Sequence, residues 1–100
     1  MKSITELGEK DVVMCRTKQE IRAFELLLNS HGKKWASGSS YLNLSVVDMY
    51  DGGDSNSVGF HVHKGQHGEE SYYKRSHRDY NIIPISEIVE MEDFKTIEDI

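Results

Sequence analysis

Apolar and polar residues change their spacing several times along this chain, and each change marks an element. Between Thr17 and Ser30 the apolar positions Ile21, Phe24, Leu27 and Leu28 recur at helical spacing, with Ala23 and Leu26 widening the stripe. That pattern predicts an amphipathic helix with one core-facing side. Thr17-Lys18-Gln19-Glu20 reads as a capping box, in which the threonine hydroxyl accepts the Glu20 N–H and Glu20 reaches back. His31-Gly32 supplies the stop, since glycine takes a positive φ readily.

Around this helix the spacing shortens. Asp11–Arg16 is brief and β-branched and reads as a first strand after a lead-in over residues 1–10. Lys33–Ser37 reads as a second strand, ended by the turn cluster Ser37-Gly38-Ser39-Ser40. Tyr41–Leu44 suits a helical turn and Ser45–Tyr50 an extended segment. Asp51–Asn56 is an emphatic turn, and Ser57–His63 is its partner strand. In that strand Val58, Phe60 and Val62 alternate with Gly59, His61 and His63, which predicts one buried face and one solvated face.

Gly65–Glu70 reads as a loop, and Ser71–Asn81 is polar and aromatic without a period. Asn81–Ile85 is a last strand, with Pro84 forcing an edge or an exit. Ser86 opens a final helical turn or two through Phe94, before a fraying tail over 95–100. The order β-α-β-β-β-β predicts an α+β fold, one main helix packed on a small, mostly antiparallel sheet, in a single domain spanning 1–100.

Composition narrows the function classes. With 37% hydrophobic and 29% charged residues, wholesale disorder is not expected. The longest apolar runs, such as Leu26-Leu27-Leu28, are too short to span a bilayer, and the first residues lack a signal-peptide apolar stretch. Cys15 is the one cysteine, so no internal disulfide is possible and a reducing, cytoplasmic setting is expected. A net charge of −5 argues against direct nucleic-acid binding, which needs clustered Lys and Arg. The charge is uneven: Glu87, Glu90, Glu92, Asp93, Glu98 and Asp99 make the C-terminal segment acidic, beside a basic, aromatic stretch at 72–80.

Candidate chemistry is sparse. His61 and His63 with His67 and Glu69 beyond them could chelate a divalent metal, but five residues separate His63 from Glu69 and no second motif follows. No metal or other cofactor is therefore expected. Cys15 sits inside a strand, where a thiol is usually buried and inert. Asp48, Asp51 and Asp54 surround a Gly-Gly turn without the spacing of a calcium loop. Trp35 reads as a core residue packing on Phe24 and Leu28, with a ligand-stacking platform as the other reading. No convergent acid, base and nucleophile can be assembled, so the chain is not expected to be an enzyme.

The stretch Tyr72, Tyr73, Lys74, Arg75, Arg78 and Tyr80 carries more. Tyrosine and arginine dominate binding hot spots, and the same types pair with phosphate and stack on bases. These six residues are the candidate binding site.

The helix, then His31-Gly32-Lys33-Lys34-Trp35-Ala36-Ser37-Gly38, then the closing Tyr80-Asn81-Ile82-Ile83, resembles a loose group of small phage-encoded accessory proteins. Their shared pattern is a helix followed by Gly-x-Lys-Trp-x-x-Gly and a Tyr-x-Ile-Ile strand. The resemblance covers Val12–Ile88. It implies a non-catalytic protein that binds and inhibits a bacterial host or defence protein in the host cytoplasm. Two alternatives stand behind it: a module sequestering a phosphorylated nucleotide signal, and a metal-dependent enzyme built on His61, His63 and His67.

Overall fold

In the computed structural model, residues 2–46, 57–75 and 79–91 are described. Thr17 caps the main helix α1 (Lys18–Ser30), its hydroxyl accepting the Glu20 N–H at 3.0 Å. Glu20 reaches back one residue further than a capping box requires, to the Arg16 N–H at 2.7 Å. At the other end Gly32 takes φ +72°, the left-handed conformation expected there.

Strand β1 (Asp11–Cys15) is buried along its whole length. It lies at the centre of a sheet ordered β3-β2-β1-β4, with β2 spanning Val58–His61, β3 Gln66–Glu69 and β4 Asn81–Pro84. The β1–β2 and β2–β3 pairings are antiparallel and β1–β4 is parallel. The result is the expected α+β fold, one main helix on a small, mostly antiparallel sheet. Pro84 ends an edge strand, where its missing N–H costs no ladder bond.

The two faces of the sheet are covered differently. Val13, Cys15, Val58, Phe60 and Ile83 face α1 and pack with Ile21, Phe24, Leu27 and Leu28. Phe24 meets Phe60 edge-on, with centroids 5.2 Å apart. On the opposite face Gly59 pairs with Gly68 across β2 and β3, and Tyr73 lies over both. A Cβ on Gly59 would stand 2.7 Å from the Tyr73 ring and equally close to Val12 Cγ1, so a side chain has no room there. Tyr73 comes from a short second helix, α2 (Glu70–Arg75).

Several expectations need correction. Lys33–Ser37 is not a strand; it keeps one bridge, Lys34 to Ser40, around a turn. Gly65–Glu70 is not a loop, because β3 runs through it. The strand carrying His61 stops at that residue, and Val62–Lys64 forms a 3-10 turn closed by Gly65 at φ +65°. The alternation therefore breaks: His61 is 1% exposed on the face under the tyrosines, whereas His63 is exposed. Ser71–Asn81 begins with α2, and the turn expected after Ser86 starts earlier, as a 3-10 turn over Ile85–Glu87. The Asp51–Asn56 turn with Asp48, the residues 47–50 of the extended segment, Arg78, and the acids and tail beyond Met91 lie outside the described residues.

The chain's two flanks close one end of the sheet. Lys2 bridges to Ile88, and the Val89 N–H donates to the Lys2 C=O at 2.9 Å. Asp11 is buried there and accepts from the Gly8 N–H, the Lys2 ammonium and the Asn81 amide, all within 2.9 Å. Burial alone would raise its carboxyl, but these donors outweigh it and hold the pKa down to about 2.

Candidate binding groove at the sheet edge

Trp35 is buried against Tyr41 and Phe60, with ring centroids 4.2 and 6.0 Å away. It is a core residue, as expected, yet its edge also meets His67 of β3 at 5.2 Å. Its indole N–H donates to the Leu44 C=O at 2.7 Å, fastening the segment after Tyr41 beside the ring. The Ala36 N–H donates to the Gly65 C=O at 3.0 Å. Only glycine fits at position 65, since a Cβ would stand 2.5 Å from the Ala36 nitrogen and φ is positive.

These contacts leave a groove of about 730 Å³ between residues 35–37, residues 44–46, β3 and the start of α2. Trp35 and His67 stand on one side and Tyr72 and Tyr73 on the other. Burial pushes the His67 imidazole down, which favours its neutral form in the groove. Two large apolar residues at the groove are exposed: Leu44 at 53% and Tyr72 at 60%.

Glu25 fixes the wall at 44–46. It is 1% exposed on α1 and accepts from the Ser45 hydroxyl at 2.6 Å and the Val46 N–H at 2.8 Å. Burial pushes its carboxyl up, opposed by these two hydrogen bonds and by the Arg22 charge. The sequence held a signal for this role: Ile21, Glu25 and Leu28 share the helical stripe at i, i+4 and i+7, so Glu25 falls on the buried face.

The proposed site residues are dispersed. Tyr72 stands at the groove, while Tyr73 is 3% exposed and belongs mainly to the second core layer. Lys74 pairs with Glu70, and Arg75 is exposed, its Nε donating to the Ser71 C=O at 3.3 Å. Tyr80 leaves the groove and packs edge-on to His61 at 5.1 Å and to Tyr73 at 5.0 Å. Leu44, Ser45, Val46 and β3 were missed as groove residues.

The histidines do not converge. His61 Nε2–H donates to the Glu9 C=O and its Nδ1 has no partner among the described residues. His63 points to solvent and His67 to the groove. Among the described residues no group of three or more His, Cys, Asp or Glu is placed to hold a metal ion. Cys15 is fully buried, which raises its thiol well above the ordinary range.

No protein-family model, curated protein or solved structure matches this chain. Among the described residues no helix is long and apolar enough to cross a membrane.

Proposed function

We propose that this chain is a non-catalytic binding protein that docks on another protein and blocks it, with the groove beside β3 as its docking site. The observation that carries this reading is the pair of exposed apolar side chains, Leu44 and Tyr72, at a groove walled by Trp35, Val46 and Tyr73. Exposed apolar groups around a concave apolar surface are the usual mark of a site that buries a partner. The resemblance to phage accessory proteins makes a bacterial host or defence protein the partner class, and a bacterial cytoplasm the setting. A phosphorylated nucleotide has less support, because no Lys or Arg is among the described lining residues and a phosphate would meet Glu69 instead.

The test is affinity capture from bacterial lysate with the parent chain and with Leu44→Asp and Tyr72→Asp. Both substitutions fall on exposed side chains, so folding should change little. The expected result is one protein held by the parent and lost by both variants. Equal capture by all three would move the docking site away from the groove.

A further inference from the structure

Glu25 is the one charged residue among the buried positions of α1, between Phe24 and the Leu27-Leu28 pair. A buried carboxylate is ordinarily matched by a cation or by several fixed donors. Glu25 has neither. Arg22 on the same helix acts on it through its charge alone, and no ion pair among the described residues includes Glu25. The other titratable groups beside it are Cys15 of β1 and Tyr41, which feel its charge and bring no positive one.

Its two bonds go to unlike partners. The Val46 N–H only donates, whereas the Ser45 hydroxyl donates or accepts. The seat therefore fits either form of the carboxyl. Ionised, it accepts from both. Neutral, it accepts from Val46 with one oxygen and donates from the other to Ser45, with no charge left buried. Those partners sit in the groove wall beside Leu44, whose C=O takes the Trp35 indole N–H at 2.7 Å. Ser45 is exposed, so water lies one side chain away from a carboxyl that is itself buried.

We propose that Glu25 is a proton-linked positioning residue: with a proton on its carboxyl the 44–46 wall stays seated, and when that proton leaves, the wall loosens and lets water reach the charge. This latch acts on the wall itself, whatever the groove docks. Burial is the largest influence on Glu25 and raises its pKa above 4.5, against the Ser45 and Val46 bonds and the Arg22 charge. With the wall loosened and the carboxyl wetted, that rise is relieved. The seated wall thus holds the proton more tightly, and the stability this adds is full below 4.5 and lost as pH rises through the seated value. The wall is firmest in mild acid.

Trp35 reports the wall, being the single tryptophan of the chain and bonded to Leu44. Its emission and acrylamide quenching are read on the full chain between about pH 5 and about pH 8, above the acid loss from Asp11. The parent should show one transition, with emission moving to longer wavelength and quenching rising as pH increases. Glu25→Gln, which keeps an acceptor for Val46 and a donor for Ser45 without the charge, should stay in the acid-side state throughout. His67 meets the Trp35 ring at 5.2 Å and histidines titrate near the same range, so the transition should also survive His67→Asn. Ser45→Ala falls on an exposed residue, so folding should hold. Because it removes a bond that is stronger to the ionised form, it should move the midpoint up by about half a pH unit. A parent without the transition would overturn the latch. So would a transition kept in Glu25→Gln, lost in His67→Asn, or unmoved by Ser45→Ala.

Discussion

The Glu25 carboxylate accepts the Val46 N–H at 2.8 Å, so one buried side chain of the main helix holds a wall of the groove. Glu25→Ala would leave that N–H buried without this acceptor, and the Ser45 hydroxyl would lose its bond to Glu25 as well. Stability should fall by about 1–3 kcal/mol, the range for a stranded buried donor. Binding at the groove should weaken at temperatures where the variant is still folded. Thermal melts paired with titration of the captured partner check both, and unchanged binding would mean that the wall holds without Glu25.

Asp11 should dominate the acid limb of stability. Its folded pKa of about 2 lies below its ordinary value of 3.8, so the ionised form is favoured by folding. The contribution is present above about pH 4 and disappears as pH falls toward 2, amounting to about 2 kcal/mol. Denaturant unfolding at a series of pH values should show this loss in the parent. In Asp11→Asn the slope should be shallower and the stability at neutral pH lower. Glu25, raised by burial, titrates in the opposite sense and favours folding toward acid pH.

Tyr41→Phe should stabilise the fold. The Tyr41 hydroxyl is buried with no partner among the described residues, and burial together with the Glu25 charge pushes its pKa to about 12. Removing an unsatisfied hydroxyl from an otherwise packed ring should gain about 1 kcal/mol. A lower melting temperature in the variant would show that the hydroxyl is bonded in solution.

Gly59→Ala should be costly even though its backbone is not in the left-handed region. The new methyl would collide with Tyr73 and Val12 at 2.7 Å, and overpacking of this kind costs about 1–3 kcal/mol. Gly68→Ala meets Tyr73 at 3.2 Å and should cost less. Equal melting temperatures for the two would mean that Tyr73 does not seat on the glycine pair.

What the sequence disclosed follows from how each element is held. The main helix and Trp35's core role were legible because the cap at Thr17, the stripe and the Gly32 stop are all local signals. Strand β3 was not, because Gln66-His67-Gly68-Glu69 has no strand-forming side chain and is extended through its pairing with β2. The same cause hid half of the site, since residues of that strand line the groove. Tyr73 was read as surface because its partner surface, two glycines facing each other across β2 and β3, exists only after the sheet forms. Tyr72 and Tyr73 line the groove from the original six, and Glu25 lay within the helical stripe without being singled out.

The central strand sets an order on synthesis. Asp11 and Asn81, 70 positions apart, are brought together by the parallel pairing of β1 with β4. While the chain emerges from the ribosome, Val12, Val13, Met14 and Cys15 must wait for Phe60 and then Ile83 before their neighbours are complete. Long-range pairing of this kind is slow, and it keeps an apolar strand uncovered in the meantime. The nascent chain consequently keeps that apolar strand uncovered until β4 has been made.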